Sequence, residues 1–188
     1  MKVSVEKTPI EGLLLVSPEV FQDDRGFFME VFRADVYAER GLPTQFVQFN
    51  HSGSVKDTVR GLHFQWSPPM GKLMRVSRGR AFLVAVDIRK DSPTLGKWFG
   101  ITLSAEDRRL VWAPASFARG FAVLSEFAEI EYLTTGTYNQ AGESGVLWND
   151  PAIGIEWPVS KPILSGKDAT AQTLAQWLDS ANSTHFRC

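Results

Sequence analysis

The chain has 188 residues, 44% of them hydrophobic and 22% charged, which is typical of one globular domain with a well-buried core. The formal net charge of -1 disfavours nucleic acid and anionic membranes as main partners, because the overall field of the protein attracts neither. A single cysteine, Cys188, rules out an intrachain disulfide and gives no indication of an oxidising compartment.

The first residues of the chain do not resemble a targeting segment. Residues 1–7 alternate apolar and polar side chains and lack the apolar run of a signal peptide. No stretch approaches the length of a membrane span. We therefore expect one cytoplasmic domain over residues 1–188, without membrane contact and with Cys188 as a solvated tail residue.

Most of the chain is predicted to be β. Runs such as residues 81–88 carry the β-branched and aromatic side chains that strands favour. Candidate strands recur about every ten residues between turn-forming glycines, prolines and asparagines, a spacing typical of a sandwich or jelly roll. The predicted strands cover residues 3–7, 12–16, 27–32, 46–52, 59–65, 72–77, 81–89, 98–103, 110–113, 117–124, 129–137 and 145–148.

Two short helices are predicted outside the strands. Residues 34–40 contain helix-forming side chains and are followed directly by a glycine, a common residue after the end of a helix. Residues 170–180 place Leu174, Trp177 and Leu178 at helical spacing. We expect this second helix to pack one face onto the sandwich.

The stretch of residues 60–65 carries the most informative histidine, His63. In a strand His63 and Gly61 would share one face and Arg60 would take the other, unless the glycine marks a bulge. A lone histidine in a strand usually just satisfies local hydrogen bonds. Its neighbours favour a site instead, because polar and cationic residues lie on flanking predicted strands, namely Gln48, Asn50, Ser52 and Lys72.

Several kinds of site are disfavoured by what the sequence lacks. It has three histidines and no His-X-His pair, which a jelly roll that binds a transition metal usually carries. It also lacks a glycine-rich phosphate loop, a serine nucleophile elbow and a Cys-His arrangement. A proton-transfer or binding site remains, in which a carboxylate from elsewhere would fix the tautomer of His63 and raise its basicity.

A series of short motifs covers residues 21–168 in a fixed order. They are DRGFFME at 24–30, QFNHS at 48–52, RGLHFQ at 60–65, GKL at 71–73, VDIR at 86–89, GFAVLS at 120–125, Tyr132, Tyr138, WNDP at 148–151, IEWP at 155–158 and LSGKD at 164–168. Together they resemble the dTDP-4-dehydrorhamnose 3,5-epimerases. That resemblance implies an all-β, cupin-type jelly roll (double-stranded β-helix) with short peripheral helices and no metal or redox cofactor.

The same resemblance implies four catalytic residues. His63 would remove the proton beside the sugar ketone, with Asp168 hydrogen-bonded behind it, and Tyr132 would return a proton from the opposite face. Lys72 would stabilise the enolate oxygen, as a weakly acidic carbon requires. The alternatives are that Asp168 caps the last helix, that Tyr132 belongs to an aromatic cluster and that Lys72 lies on a solvated face.

The resemblance also implies a nucleotide-binding end and a homodimer. Arginine suits a diphosphate because its planar fork donates paired hydrogen bonds, although such arginines are often only surface residues and Arg25 could simply belong to a turn. The amino-terminal strand would pair across the two-fold axis of the dimer. The implied binding residues are Arg25 and Arg60 on the diphosphate, Glu30 on the base or ribose, Gln48 and Asn50 in the pocket, and Tyr138 near the base.

Three positions depart from the pattern of the family. Arg119 stands where the family usually has histidine, Met70 where it has glutamine and Leu133 where it has lysine. Arg119 is expected to add an anion contact or to narrow the sugar cleft, the alternative being that it turns out to solvent. These departures leave open the sugar, the nucleotide and whether one or two carbons are inverted.

The leading hypothesis is a homodimeric epimerase that inverts C3, C5 or both in a nucleotide-linked 4-keto-6-deoxyhexose during deoxysugar biosynthesis. One alternative is a single-centre epimerase acting on another substrate, for example a CDP-linked sugar. Two others are a jelly roll that binds sugar nucleotides without catalysis and a metal-dependent cupin. The four proton-transfer residues argue against the former, and the missing His-X-His pair argues against the latter.

Overall fold

The computed structural model of the chain describes residues 2–187 and consists mainly of two antiparallel sheets. Six strands form the first sheet, in the spatial order β1 (Val3–Lys7), β2 (Leu14–Pro18), β10 (Leu110–Ala113), β7 (Lys72–Arg78), β12 (Phe127–Thr134) and β5 (Gln48–Val55). Five form the second, in the order β13 (Glu143–Gly145), β6 (Val59–Gln65), β11 (Phe117–Val123), β8 (Arg80–Asp87) and β9 (Trp98–Ser104). A separate hairpin pairs β3 (Val20–Asp23) with β4 (Gly26–Met29).

The two sheets pack face to face through alternating apolar side chains. Val76 and Ile130 of the six-stranded sheet join Leu83, Phe121 and Val123 of the five-stranded sheet in one buried cluster. Successive strands cross between the sheets, so that neighbours in a sheet are mostly distant in sequence. The predicted jelly roll is confirmed, and a cavity between its sheets can receive side chains from strands of both.

A second apolar cluster covers the outer face of the five-stranded sheet. The outward side chains of β6, including Leu62 and Phe64, pack with Leu174 and Trp177 of the carboxy-terminal helix. The ring centroids of Phe64 and Trp177 lie 4.5 Å apart in an edge-on arrangement. Burying Leu62 and Phe64 anchors the outer face of β6, so the residue between them, His63, is directed toward the space between the sheets.

Three α-helices and two 3-10 helices complete residues 2–187. The α-helices are α1 (Ala34–Ala38), α2 (Gly166–Ala169) and α3 (Leu174–Asp179), and the 3-10 helices are Gln140–Gly142 and Ala181–His185. The two predicted helices are confirmed with shorter bounds, because Thr173 forms a capping box with Gln176 and so begins α3 four residues after the predicted start. The sequence did not predict α2.

Most predicted strands are present, with shifts at their ends. The prediction for residues 27–32 was too long because the chain forms the tight β3–β4 hairpin, whose first strand was missed. The prediction for residues 145–148 was displaced, because β13 pairs with β6 at Glu143–Gly145. Cys188, predicted to be solvated, lies outside the described residues. None of the helices in residues 2–187 combines the length and apolar character needed to cross a membrane.

Candidate active site

A bulge in β6 decides which side chains face the interior. His63 pairs with Arg119 and Arg60 pairs with Phe121, so Gly61 and Leu62 together lie opposite one residue of β11. Since paired residues share a face, the extra residue brings Arg60 and His63 to the same side of the sheet. Strict alternation would have placed Arg60 and His63 on opposite faces. The sequence left open whether Gly61 marks a bulge, and the pairing confirms that it does.

Only glycine fits at the centre of this bulge. The φ angle of Gly61 is +122°, a conformation that other residues rarely adopt. A Cβ atom there would lie 2.7 Å from the carbonyl oxygen of Arg119 and 2.7 Å from the Cα atom of Gly120. The close approach of the two backbones therefore holds His63 and Arg119 next to each other.

A cavity of about 440 Å³ opens between the two sheets at this point. The five-stranded sheet supplies one wall through His63 and Arg119, and the six-stranded sheet supplies the facing wall through Lys72 and Tyr132. The structure thus brings these four predicted site residues together, and the predicted Gln48, Asn50 and Tyr138 line the same cavity. The remaining lining residues are Phe64, Gln65, Met70, Glu143 and Lys167.

His63 and Asp168 form a hydrogen-bonded pair behind the cavity. The Nε2 atom of His63 lies 2.5 Å from Oδ1 of Asp168, whose side chain is almost completely buried. Burial opposes ionisation of this carboxyl, but hydrogen bonds from His63, Ser165 and the backbone of Gly61 hold its pKa below the ordinary value. Asp168 is therefore an ionised partner that orients the imidazole.

The alternative role for Asp168, a cap on the last helix, is wrong. The N-cap of α3 is Thr173, whose side chain accepts a hydrogen bond from the backbone of Gln176. Asp168 instead lies inside α2, where its backbone N–H donates to the hydroxyl of Ser165 at 3.1 Å. This cap fixes the short helix, and the carboxylate is left to face His63.

Lys72 lies on β7 with its ammonium group inside the cavity. Its Nζ atom lies 4.9 Å from the centre of the Tyr132 ring. Burial and the like charge of Arg119 lower the pKa of Lys72 to about 7, while Glu143 acts in the opposite direction. The alternative that Lys72 lies on a solvated face is therefore wrong, and Lys72 can change its charge near neutral pH.

Tyr132 faces His63 across the cavity from β12. It pairs with Asn50 of β5 and Met74 of β7, whose side chains lie on the same inner face of the six-stranded sheet. Burial raises the pKa of the Tyr132 phenol, against an opposing effect of the charge on Arg60. The hydroxyl is thus kept protonated at neutral pH and can act as a proton donor.

Arg119 points inward and is only 3% exposed, so the alternative that it turns out to solvent is wrong. Its Nη1 atom donates to the carbonyl oxygens of Met70 at 2.8 Å and Pro114 at 2.9 Å. Within residues 2–187, its buried Nε and Nη2 atoms have no hydrogen-bond partner. Burial lowers the pKa of the guanidinium to about 9.

Arg60 lies beside the cavity rather than in it. It lines an adjoining pocket together with His63 and Asp168, and its Nε atom donates to the hydroxyl of Ser54 at 3.0 Å. The bulge thus places this arginine next to the histidine.

Two predicted binding residues lie elsewhere in this chain. Arg25 is in the β3–β4 hairpin, where its side chain is 90% exposed and forms an ion pair with Asp23. Glu30 follows the hairpin and forms an ion pair with Arg33. Neither of them lines the cavity or the adjoining pocket that contains Arg60.

Sequence reasoning missed three polar residues of the cavity. Glu143 accepts hydrogen bonds from Lys167 at 2.5 Å and from the hydroxyl of Tyr138 at 2.9 Å, forming a cluster at the rim. Gln65 bridges two loops by donating to the carbonyl oxygens of Pro68 and Thr137. Gln65 and Lys167 belong to family motifs, which was the available signal, whereas Glu143 is brought in by the pairing of β13 with β6.

No group of three histidine, cysteine, aspartate or glutamate side chains comes together within residues 2–187. His51, the histidine nearest to His63 in sequence, pairs with Glu129 at 3.1 Å and is half exposed. The chemistry that the cavity itself offers is proton transfer, with a carboxylate-oriented imidazole on one wall and a phenol beside an ammonium group on the other.

The chain is similar to a well-defined group of enzymes. It matches the dTDP-4-dehydrorhamnose 3,5-epimerase family over residues 7–176. It is 52% identical over 172 residues to the dTDP-4-dehydrorhamnose 3,5-epimerase of Shigella flexneri, which covers 90% of this chain and 95% of that protein. A dTDP-4-dehydrorhamnose 3-epimerase from Streptomyces niveus is 41% identical, with 90% of this chain and 83% of that protein covered.

The fold is also similar to that of solved structures. A dTDP-6-deoxy-D-glucose-3,5-epimerase from Legionella pneumophila, crystallised with dTDP-4-keto-L-rhamnose, superimposes with a TM-score of 0.91 at 42% sequence identity. The match covers 96% of both chains. Since this similarity extends over nearly the whole fold, the two sheets have counterparts in that enzyme.

Proposed function

Because the chain belongs to the dTDP-4-dehydrorhamnose 3,5-epimerase family, we propose that it epimerises a dTDP-linked 4-keto-6-deoxyhexose by proton transfer. The observation that carries this proposal is the placement of His63 and Tyr132 on facing walls of one cavity, with Lys72 beside Tyr132. Inversion at a carbon requires a proton to leave one face of the sugar and another to arrive at the opposite face. A base on one wall and a proton donor on the facing wall meet this requirement.

In the first step His63 removes a proton from the carbon beside the ketone. The carboxylate of Asp168 orients the imidazole and stabilises the imidazolium that forms. The electrons of the C–H bond form a carbon–carbon double bond, and the ketone becomes an enolate. The ammonium group of Lys72 stabilises the charge that develops on the ketone oxygen, which makes the weakly acidic carbon accessible to an imidazole.

In the second step Tyr132 donates its phenolic proton to the other face of the same carbon. Its pKa is raised by burial, so the phenol is protonated when the enolate forms and the transferred proton must later be replaced from solvent. Repetition of both steps at the carbon on the other side of the ketone would invert the second centre. The same residues therefore account for action at C3, C5 or both.

The nucleotide occupies the side of the cavity where Arg60 and Tyr138 lie. Arg60 is close to His63 in the adjoining pocket and supplies a fork for the diphosphate, while the exposed ring of Tyr138 offers a surface for the base. Gln48 and Asn50 are joined by a 2.9 Å hydrogen bond and also line the cavity. This arrangement would hold the sugar with its ketone toward Lys72.

We further propose that the active form is a homodimer. Arg25 and Glu30, which family resemblance assigns to the nucleotide, lie outside the cavity of their own chain and would reach only the cavity of a second copy. The hairpin that carries Arg25 also exposes three large apolar side chains, those of Phe21, Phe27 and Phe28. A second copy that covers this hairpin would bury them and complete the nucleotide site.

A single-centre epimerase is the second candidate. The observation that favours it is the buried guanidinium of Arg119, a larger and more strongly charged group than the histidine usual in the family. Arg119 pairs with His63 on the neighbouring strand, so its side chain lies beside His63 and narrows the cavity in which the sugar must turn to present its second carbon. A chain that only binds sugar nucleotides is disfavoured by the complete set of proton-transfer groups.

Solvent isotope exchange tests these alternatives. The enzyme is incubated in deuterium oxide with dTDP-linked 4-keto-6-deoxyglucose, and deuterium at C3 and at C5 is followed separately by NMR. Incorporation at both carbons supports two-centre epimerisation, and incorporation at one supports the single-centre enzyme. If neither C3 nor C5 exchanged, with the dTDP-linked and with the CDP-linked sugar, the proposal would be overturned.

A further inference from the structure

Two cations, the buried Arg119 and the half-buried Lys72, line the same cavity. Arg119 and Lys72 both line it, one from each sheet, and each bears a positive charge in its usual state. The nearest acidic lining residue, Glu143, already accepts hydrogen bonds from Lys167 and Tyr138. The charges of Arg119 and Lys72 are therefore compensated only in part, and each destabilises the other.

The guanidinium of Arg119 is fixed to the backbone on both sides of Lys72. Its Nη1 atom donates to the carbonyl oxygen of Met70, two residues before Lys72, at 2.8 Å. The same atom lies 3.4 Å from the carbonyl oxygen of Ala113, the residue that pairs with Lys72 between β10 and β7. Because these contacts hold Arg119 in place, its charge cannot move away from Lys72.

The other groups around Lys72 do not cancel this repulsion. Lys167 of α2 adds a second like charge, whereas Glu143 of β13 is the acidic group that favours the protonated amine. Tyr132 of β12 presents its ring, and His63 of β6 has its Nε2 atom on Asp168. Burial and Arg119 are the two largest effects, and together they lower the pKa of Lys72 to about 7.

We propose that Arg119 is a positioning residue that destabilises the charged form of Lys72, so that Lys72 passes a proton to the ketone oxygen instead of remaining a fixed positive charge. This inference rests on the proposed epimerase function and adds to it an acid at the oxygen. With histidine at position 119, the residue usual in the family, Lys72 would lack the positively charged guanidinium as a neighbour. The chain would then depend on electrostatic stabilisation of an enolate.

The proposed step is balanced without any further reagent. As His63 takes the proton from carbon, the C–H electrons form the C=C bond and the carbonyl π electrons form a new O–H bond with a proton from Nζ of Lys72. The intermediate is a neutral enol beside a neutral amine. When Tyr132 protonates the carbon, the O–H proton returns to Lys72 and the ketone is restored.

The first test is direct titration of Lys72 in the wild-type protein without substrate. Its side-chain nitrogen is followed by NMR in protein with isotope-labelled lysine, and the signal is assigned from its absence in Lys72→Met. We expect a midpoint near pH 7. A Lys72 that stays protonated above pH 9 would overturn the inference, and this result does not depend on whether the protein is active.

The second test separates the charge of Arg119 from its hydrogen bonds. Exchange should slow as pH rises and Lys72 loses its proton, and the pH at which this happens is called the alkaline limit. In Arg119→Met and in Arg119→His, which restores the residue usual in the family, the alkaline limit should move upward by about one pH unit or more. Both variants lack the guanidinium charge, but only the histidine keeps an N–H donor. A shift in Arg119→Met alone would show that Arg119 acts through its hydrogen bonds, and an unmoved limit in both variants would show that neither its charge nor its hydrogen bonds set the limit. Either result would overturn the inference.

Arg80→Gln is the matched control for loss of a positive charge. Arg80 lies at the exposed start of β8, outside the cavity, and the alkaline limit should stay where it is in the wild type. If Arg80→Gln moved the limit as far as the Arg119 variants do, the effect would belong to the net charge of the protein, and the inference would fail. Absence of exchange in the wild type would overturn the proposed function and leave the Lys72 titration intact as a separate result.

Discussion

The Nε2 atom of His63 lies 2.5 Å from Oδ1 of Asp168, although the two residues are 105 positions apart in the chain. His63 is held by the bulge in β6, and Asp168 is held by the Ser165 cap of α2. The pair therefore depends on two independent local structures. Such a pair fixes which imidazole nitrogen carries the proton, and the other nitrogen is free to act as the base.

Removal of the base should abolish exchange while leaving the fold intact. His63→Ala and His63→Asn are expected to lower the rate of deuterium incorporation by about 10³-fold or more, because the group that takes the carbon proton is gone. Asp168→Asn should lower it less, by about 10²-fold, since the imidazole remains but loses its ionised partner. Circular dichroism and thermal unfolding show whether each variant is folded.

His51→Asn is the matched control for this series. His51 is also a strand histidine paired with an acidic residue, but it is half exposed and lies outside the cavity. Exchange in this variant should equal that of the wild type. Near-normal exchange in folded His63→Asn would place the base elsewhere.

Tyr132→Phe should separate proton removal from inversion. The ring that contacts Lys72 is retained, but the hydroxyl that protonates the opposite face is lost. We expect formation of the inverted sugar to fall by about 10²–10³-fold. Deuterium should still enter with retained configuration, because His63 can return a solvent-derived proton from its own side. NMR of the product distinguishes retention from inversion.

Tyr138→Phe provides the comparison for that experiment. Tyr138 is 58% exposed at the rim, and its hydroxyl contacts Glu143. Its loss should raise KM and leave kcat nearly unchanged, as expected for a binding residue. Equal loss of exchange and inversion in Tyr132→Phe would mean that Tyr132 is not the second proton-transfer group.

The strands that the sequence predicted correctly are those specified by local pattern. Residues 3–7, 59–65 and 110–113 have the predicted bounds because alternation or an apolar run ends at turn-forming neighbours. The failures have non-local causes. β13 begins two residues earlier than predicted because its register is set by pairing with β6, and β3 is stabilised by its partner β4 and not by its own side chains.

The candidate site, like the strands, could be predicted only in part from the sequence. Family motifs supplied His63, Lys72, Tyr132 and Asp168, but no local rule places them in one cavity. The shared face of His63 and Arg60 depends on the two-against-one pairing with β11, which involves residues far away in sequence. The inward direction of Arg119 depends on carbonyl oxygens from two other segments, which a single sequence does not bring together.

We expect activity to be independent of added metal. The candidate base, His63, pairs with one carboxylate, and no three metal-ligating side chains meet anywhere in the described part of the chain. Dialysis against a strong chelator should leave the rate of exchange unchanged. Loss of activity that is restored by one divalent ion would contradict this prediction.

The proposed dimer can be tested through the hairpin that contains β3 and β4. Phe21→Ser combined with Phe28→Ser should leave the two sheets folded, since both side chains are more than half exposed in the single chain. We expect the variant to sediment as a monomer at micromolar concentration and to have a raised KM, because the nucleotide would lose Arg25. A wild-type monomer with full activity would refute the dimer.

Lys72 should also make stability depend on pH. Its pKa falls from an ordinary value of 10.5 to about 7 on folding, so between these values the unfolded chain binds more protons than the folded one. Stability therefore rises with pH across this window. Below pH 7 the amine is charged in both states, and the full penalty of holding a cation beside Arg119 is present.

Lys72→Met should remove that penalty while keeping a side chain of similar length. At pH 6 we expect the variant to be more stable than the wild type by on the order of 1–3 kcal/mol, less than the whole pKa shift would give because Lys72 is partly exposed to solvent. The difference should shrink as pH approaches 10, where the wild-type amine is neutral in the folded state. Urea unfolding at pH 6, 8 and 10 measures it, with the exposed Lys161→Met as the control for loss of a lysine. A difference between Lys72→Met and the wild type that is the same at all three pH values would mean that folding does not shift the titration of Lys72.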